Sequence, residues 1–122
     1  MVRMGVLLDW YAPLLTARQR EICALHFAED YSLAEIAELF GVTRQAVHDT
    51  IARAERSLER CERTFGWASL ADSMVQGLAE VDVALAAVAH SDPEARQKAG
   101  RARAIVARLT EAVQRKGASP SV

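Results

Sequence analysis

The sequence predicts an all-α protein, and three observations in its 122 residues lead to that fold class. Strong helix formers such as alanine, leucine, glutamate and arginine are abundant, and the 6 glycines and 3 prolines fall mostly at segment boundaries. Apolar residues recur at the three- and four-residue steps of a helix, without β-type alternation of any length. Residues suited to helix caps precede several of these segments. We therefore predict helices joined by short turns.

The first two helices are predicted from cap and turn signals. The first runs from about Met4 to Tyr11 and ends just before a proline. Thr16 then opens the second helix in a capping box with Gln19, in which each residue bonds the backbone N–H of the other. The apolar spacing continues this second helix to about Ala28.

Residues 32–54, SLAEIAELFGVTRQAVHDTIARA, are typical of a helix-turn-helix. Ser32 and Glu35 form a capping box at the start of its first helix. Gly41 suits the left-handed backbone conformation that ends a helix, and Thr43 is a good cap for the next one. The second helix meets no breaker for some twenty residues, which predicts a long recognition helix.

The start of the recognition helix carries side chains suited to base edges. Val47 and Ile51, four residues apart, point the inner face of this helix at the core. Arginine and glutamine at the start of such a helix are the residue types that form bidentate hydrogen bonds with guanine and adenine. The nucleic-acid-binding residues predicted on its outward face are Arg44, Gln45, His48, Asp49 and Arg53.

Farther along the recognition helix, arginine and glutamate alternate at spacings of three and four residues. Glu59 and Arg63 are four apart and therefore face each other. The usual interpretation is a solvated helix that many weak ion pairs stabilise. The alternative is that its arginines follow a phosphate backbone, namely Arg53, Arg56, Arg60 and Arg63.

After Gly66 the apolar pattern changes to a seven-residue repeat, which predicts a narrow apolar seam. Asp92 and Pro93 then start a last helix whose matching positions are mostly alanine. We predict an antiparallel two-helix hairpin. Because the alanine face cannot cover so many large side chains, we also predict a homodimer through the seam. The seam residues are Trp67, Leu70, Met74, Leu78, Val81, Leu85 and Val88.

Charge divides the chain at similar places, with a net −2 over residues 1–66, −4 over residues 67–92 and +5 over residues 93–122. The helix-turn-helix half is therefore not basic, and the strongest positive field comes from the last helix. Arg101, Arg103 and Arg108 there are further candidates for nucleic-acid binding. We expect a nucleic-acid-binding domain in residues 1–66, a hairpin for dimerisation or partner binding in residues 67–116, and a disordered tail in residues 117–122.

Several function classes find no support in the sequence. Motifs of catalytic or phosphate-loop type are not visible, so we expect no enzyme. Cys23 and Cys61 are typical of reduced thiols, and the C-x-x-H spacing of Cys23 and His26 has no second pair to complete a zinc site. We therefore expect no metal and no cofactor. The apolar runs are too short for a signal peptide or a membrane span, which favours a cytoplasmic protein.

Residues 6–66 resemble the YlxM family of small bacterial helix-turn-helix proteins. The resemblance lies in Leu15-Thr16 followed by RQRE at residues 18–21, in SLAEIA at residues 32–37, and above all in VTRQAV at residues 42–47. The family is itself similar to the fourth region of bacterial sigma factors, which implies a region 4-like core for this chain.

The resemblance implies a role in the signal recognition particle pathway, with the particle's GTPase, its RNA, or both as partners. It also implies that the outward residues of the recognition helix make the contacts. Three functions stay open at this point. They are a regulatory or accessory nucleic-acid-binding protein of that pathway, a dimeric sequence-specific DNA-binding transcriptional regulator, and a protein-interaction module that has lost the nucleic acid.

Overall fold

A computed structural model describes residues 4–88, 90 and 92–118, and these residues form six α-helices and no strand. The predicted all-α fold class is therefore confirmed. A 3₁₀ turn, Ala12–Leu14, follows the first helix, and a π-helical segment, Ala24–Ala28, extends the second. The helices are α1 Met4–Tyr11, α2 Ala17–Cys23, α3 Leu33–Phe40, α4 Arg44–Phe65, α5 Trp67–Val88 and α6 Pro93–Ala118.

Side-chain caps start α2, α3 and α4 as predicted. Thr16 with Gln19, and Ser32 with Glu35, each close a reciprocal capping box. The Thr43 hydroxyl accepts a hydrogen bond from a backbone N–H in the first turn of α4. These bonds satisfy N–H groups that a helix start otherwise leaves without a partner. The backbone N–H of Ser32 also stabilises the ionised form of Glu35, which lowers the pKa of that carboxyl.

The end of α2 is a feature that the sequence does not reveal. The backbone widens into the π-helical segment before the chain turns into α3. Asp30 takes a positive φ of 59° in this turn, and the His26 ring donates from Nδ1 to the Tyr31 carbonyl oxygen at 3.0 Å. His26 also lies edge-on against the Phe27 ring. The half-buried His26 therefore holds the turn that leads into the helix-turn-helix.

The chain divides into two compact units, and the first of them extends to Ala68. Two apolar clusters form its core. One cluster packs α1 against the middle of α4, and the other joins α2, α3 and the beginning of α4. Because α4 contributes to both clusters, it is the central element of this unit. Fully buried members include Tyr11 and Leu58 in the first cluster and Ile22, Ile36 and Val47 in the second.

Tyr11 ties α1 to the residues that follow α4. Its hydroxyl donates to Glu62 Oε1 at 2.6 Å and accepts from the backbone N–H of Trp67 at 3.0 Å. The same carboxylate oxygen accepts from the backbone N–H of Ala68 at 3.1 Å. Between them Gly66 takes a φ of 63°, which glycine adopts without steric cost. Burial first, and the bond to Glu62 second, raise the pKa of Tyr11 to about 12.

The second unit, Ser69–Ala118, is the predicted antiparallel hairpin. Arg103 on α6 pairs with Asp82 on α5 through two hydrogen bonds, Nε to Oδ1 at 2.9 Å and Nη2 to Oδ2 at 3.2 Å. Asp92 caps α6, as expected, by accepting from the backbone N–H of Ala95. Among the described residues of this unit, only Ala99 is buried. The hairpin therefore has almost no core of its own.

The apolar seam of α5 is only partly covered by α6. Leu78 and Leu85 are half-buried, whereas Leu70, Met74, Val81 and Val88 are between 45% and 58% exposed. The difference arises because α6 packs closer to the side of α5 that carries Asp82 and smaller residues. The large side chains of the seam are thus displaced toward one side of the hairpin.

The last helix runs farther than predicted. α6 continues through Gly117 to Ala118, two residues into the segment expected to be a disordered tail. Residues 119–122 of that expected tail lie outside the described residues. No helix in the described part of the chain combines the length and the apolar character needed to cross a membrane.

Candidate nucleic-acid interface

The start of α4 separates a buried face from an exposed one. Val47 and Ile51 are buried in the second cluster of the first unit, as their spacing predicts. The five residues predicted to face nucleic acid are all exposed, namely Arg44, Gln45, His48, Asp49 and Arg53. The helix-turn-helix therefore holds these side chains away from the core, where a ligand can reach them.

The turn before α4 fixes the direction in which this helix leaves α3. Gly41 ends α3 in the left-handed conformation, with φ 65° and ψ 37°. The backbone N–H of Val42 then donates to the Ala37 carbonyl oxygen at 3.0 Å. A side chain at Gly41 would be strained at this φ, so the glycine is a condition for the geometry of the motif.

Asp49 organises the exposed polar side chains of the first two turns. Gln45 Nε2 donates to Asp49 Oδ1 at 2.9 Å, and His48 Nδ1 lies 3.6 Å from the same oxygen. The bond orients the Gln45 amide and leaves its oxygen and its second N–H available. Those two groups are the ones that a bidentate contact with adenine requires.

Arg44 is the first residue of α4 and is exposed. It forms no ion pair with a carboxylate among the residues that the structure describes. Its charge adds to the positive end of the helix dipole, so this end of α4 is electrostatically suited to an anion or to the acceptor edge of guanine.

Two of the three acidic residues in the arginine- and glutamate-rich part of α4 lie near neighbouring helices, whereas the third, Glu59, is exposed. Glu62 bonds the Tyr11 hydroxyl of α1. Glu55 lies close enough to Cys23 of α2 to contribute, after burial as the main cause, to raising the pKa of that thiol to about 11. These carboxylates therefore lie toward the packed side of the helix.

The arginines of the same part of α4 are exposed, and no described residue forms an ion pair with them. The Glu59–Arg63 ion pair expected from their spacing does not form, so the interpretation of this segment as a ladder of weak pairs is not supported. In the described part of the chain, no ion pair holds Arg53, Arg56 or Arg60 either. Helical spacing ignores the contacts that draw Glu55 and Glu62 toward α2 and α1. Exposed Glu59 forms no ion pair with a described residue, and the structure gives no reason for it.

On α6 the structure separates the three candidate arginines. Arg103 is engaged with Asp82 inside the hairpin, which lowers the pKa of that carboxyl and raises the pKa of the guanidinium. Arg103 therefore helps to hold α5 to α6, and its role in nucleic-acid binding stays a prediction. Arg101 and Arg108 are exposed, and neither is in an ion pair with a described residue.

Three aromatic rings meet at the end of α4. The Phe65 and Trp67 rings stack with centroids 4.6 Å apart, and Trp67 also stacks on Tyr11 at 5.4 Å. Trp67, expected to start the seam of the hairpin, thus packs on α1 within the first unit. The sequence offered no signal for this because Tyr11 and Trp67 are far apart along the chain.

The described residues contain no cluster of histidine, cysteine and carboxylate side chains that could hold a metal ion. Cys23 and Cys61 are free thiols, and Cys23 is buried.

Comparison with known proteins agrees with this geometry. Residues 1–76 match the family model of the UPF0122 proteins, which are described as helix-turn-helix proteins of YlxM/p13-like type. The chain belongs to the UPF0122 family. The matched residues include the whole helix-turn-helix unit of this UPF0122 protein and the first turns of α5.

Relatives in several bacteria share this region with the UPF0122 protein. It is 43% identical over 83 residues to a UPF0122 protein of Symbiobacterium thermophilum, an alignment that covers 68% of this chain and 78% of the relative. It is 57% identical over 60 residues to a UPF0122 protein of Streptococcus pneumoniae, covering 49% of this chain and 54% of the relative. The shorter alignment carries the higher identity, and both lengths fall short of the full chain.

Proposed function

We propose that this UPF0122 protein is a non-catalytic, nucleic-acid-binding accessory factor of the signal recognition particle pathway. The observation that supports nucleic-acid binding is the start of α4, where Val47 is buried while Arg44 and an oriented Gln45 face solvent. Recognition helices present their first turns to base edges in this arrangement. The pathway, and the particle's RNA and GTPase as partners, rest on the YlxM resemblance.

The exposed arginines of α6 are the second surface that we propose for RNA. Arg101 and Arg108 lie seven residues apart, two helical turns, on the same side of α6. Both are free of ion pairs with described residues. Free guanidinium groups on a strongly basic helix favour contact with phosphates, which explains why we assign this surface to backbone contacts and not to base recognition.

For the apolar side of the hairpin we propose a second copy of the hairpin as the partner. Ile105 and Leu109 on α6 are 47% and 48% exposed, close to the values along the seam of α5. Each helix of the hairpin has one face turned toward the other helix. Because α5 and α6 run antiparallel, side chains that lie about 90° from that face in the same rotational sense, each viewed along its own helix, are on the same side of the hairpin. Helical spacing therefore brings Met74, Val81, Ile105 and Leu109 to one face.

The charges of the two helices fit such a pairing. α5 contains acidic residues and no basic one, whereas α6 carries seven basic residues against two acidic ones. A two-fold arrangement that places α5 of one copy beside α6 of the other joins opposite charges and closes a four-helix bundle. The predicted homodimer is thus part of the proposal.

A dimeric sequence-specific DNA-binding regulator is the second candidate function. Arg44 and Gln45 favour it, because both side chains lie where a recognition helix reads bases. This regulator would depend on those two residues for its preference among DNA sequences, and a lost bidentate contact costs about 1–3 kcal/mol.

Fluorescence anisotropy on the full chain separates the two functions. The probes are labelled signal recognition particle RNA and random double-stranded DNA of equal length, each at two salt concentrations. We expect tighter binding to the RNA, weakened in R101Q/R108Q. The matched control is K98Q/R115Q, which removes two positive charges from the same helix at residues already paired with Glu94 and Glu111.

Two results would contradict the binding of the particle RNA. Binding to neither probe excludes direct binding of the particle RNA. A preferred DNA site, selected from a genomic library and lost in R44A/Q45A, supports the regulator instead.

For the homodimer, light scattering at micromolar concentration is expected to give twice the chain mass of 13.4 kDa, and M74E/V81E to give the mass of one chain. If light scattering gives the mass of one chain for the parent protein, the homodimer is excluded at that concentration.

A further inference from the structure

We propose that the far half of α4 is a phosphate-binding stripe that lies on the backbone of the nucleic acid whose bases the start of α4 reads. The stripe consists of Arg53, Arg56, Arg60 and Arg63. This inference rests on the proposed function, because it requires α4 to bind a nucleic acid. It extends the interface along most of one helix.

Helix geometry places the four arginines on one line. They follow one another at steps of three, four and three residues, so at 100° per residue their directions fall within an arc of about 80°. All four are exposed. The centre of that arc lies about 170° around the helix from the buried residues, which are Val47, Ile51, Ala54 and Leu58. The stripe therefore faces directly away from the core.

The arginines of the stripe are not neutralised by the acids of α4, although exposed Glu59 lies three residues from Arg56 and four from Arg63. A helix that stabilises itself through its surface charges pairs each arginine with an acid three or four residues away. Here Glu62 bonds Tyr11, Glu55 lies near Cys23, and the stripe forms no ion pair with a described residue. Like charges on one face repel each other, and a polyanion laid along that face relieves the repulsion.

The stripe is in register with the base-reading end of the helix. Gln45 and Asp49 fall within the same outward arc as the arginines, when the spacing is continued toward the start of α4. Arg53 lies eight residues beyond Gln45, about 12 Å along the axis, which is close to the width of the major groove of B-DNA. An α4 that enters the groove by its first turns therefore brings Arg53 to the groove edge.

Beyond the groove edge the helix meets phosphates. From Arg53 to Arg63 the stripe covers about 15 Å along the helix axis. Phosphates of one strand follow one another at about 3.4 Å along a duplex axis, so several of them lie within reach of this length. The chemistry recognised is the phosphodiester backbone. RNA duplexes share that backbone, so the experiment compares a DNA duplex with an RNA duplex.

The test compares the salt dependence of binding by the full chain and by R56Q/R60Q, on a DNA duplex and on an RNA duplex of equal length. Each lost phosphate contact makes the slope of log K against log salt shallower by about 0.9 on B-form DNA. We expect the slope of R56Q/R60Q to be shallower by about 1.8 if the protein binds the DNA duplex, and also shallower than that of the parent if it binds the RNA duplex. A shallower slope on one duplex alone identifies DNA or RNA as the source of the phosphates.

Two control variants make the result specific. R18Q/R20Q removes two positive charges from α2 of the same unit and is expected to keep the slope of the parent. R56K/R60K retains both charges and is expected to restore the slope, because lysine also binds phosphate as a point charge. Circular dichroism on each variant checks that the helices are retained, which we expect for the stripe variants because Arg56 and Arg60 are exposed.

The outcomes distinguish the stripe from the proposed function. If the parent binds nucleic acid and R56Q/R60Q keeps its slope, the stripe is wrong and nucleic-acid binding stands. The stripe is also wrong if R18Q/R20Q makes the slope as shallow as R56Q/R60Q does, or if R56K/R60K fails to restore it. In either case the change in slope does not come from the charges at residues 56 and 60. If the parent binds neither duplex, both the stripe and nucleic-acid binding by α4 are wrong.

Discussion

The helix-turn-helix unit and the hairpin differ most in how much of their apolar surface they bury. The first unit uses short helices around α4 and contains every described residue of the buried core except Ala99. The hairpin has α5 and α6, of 22 and 26 residues, yet leaves its largest side chains half in solvent. Helix length therefore does not measure stability. The first unit has a complete core, whereas the hairpin has an apolar side that a partner can complete.

The largest effect that tests this comparison is expected from the core of the first unit. Leu58 is fully buried against α1, so Leu58→Ala should lower the free energy of unfolding by about 2–5 kcal/mol. Met74→Ala on α5 should change it by less than about 0.5 kcal/mol in dilute, monomeric protein, since Met74 is exposed. Urea unfolding followed by tryptophan fluorescence and circular dichroism measures both. Equal losses in the two variants would break the comparison.

A smaller effect is expected from the hydroxyl of Tyr11. Tyr11→Phe removes the bond to Glu62 and leaves the Trp67 N–H without its acceptor, which should cost about 1–2 kcal/mol of unfolding free energy. Tyr31→Phe is the matched control, since the hydroxyl of Tyr31 has no hydrogen bond to a described residue. Thermal unfolding of both variants beside the parent checks the prediction. If Tyr31→Phe loses as much stability as Tyr11→Phe, the loss does not come from the hydrogen bonds of the Tyr11 hydroxyl.

The same hydroxyl sets the response of the first unit to alkali. Because the pKa of Tyr11 is raised from 10.0 to about 12, the neutral form is favoured in the folded state. Its contribution to stability is complete below pH 10 and is lost as the pH rises toward 12. Cys23, raised from 9.0 to about 11, acts in the same direction. Thermal unfolding temperatures from pH 8 to 11 should fall less steeply in Tyr11→Phe than in the parent.

The smallest effect is expected in the hairpin, at the opposite end of the pH scale. Arg103 lowers the pKa of Asp82 below its usual 3.8, so the ion pair contributes stability above that pH and loses it as the carboxyl is protonated in acid. Both side chains are partly exposed, which keeps the contribution small. Helicity measured from pH 6 to 2.5 should fall in the parent and change less in Asp82→Asn. Parallel acid curves would assign the loss to other carboxylates.

The features predicted correctly from the sequence are those that neighbouring residues decide. The capping boxes at Thr16 and Ser32 and the positive φ at Gly41 each depend on a few consecutive residues. The division of α4 into a buried and an exposed face depends on helical spacing, which is also local. For this reason the helix-turn-helix could be predicted from start to end.

The features that the sequence did not reveal depend on contacts between distant residues. Tyr11 and Glu62 are 51 positions apart, and their bond turns a glutamate away from the arginines of α4. Arg103 and Asp82 are 21 positions apart, so a charge count on α6 treats a paired arginine as a free one. Periodicity also located the seam of α5 without indicating which side of it α6 would cover. The sequence therefore identified candidate contact residues, but it did not show which of them are free to bind a partner.

The network around Glu62 decides where the gene can be divided without damage to the protein. Trp67 and Ala68 are the first residues of α5, yet they bond Tyr11 and Glu62 and pack with the first unit. A fragment that ends at Gly66 would lack Trp67, whose backbone N–H bonds the buried Tyr11 hydroxyl. We therefore expect a truncated or fused protein to keep the first unit intact only when the division falls after Ala68, within α5.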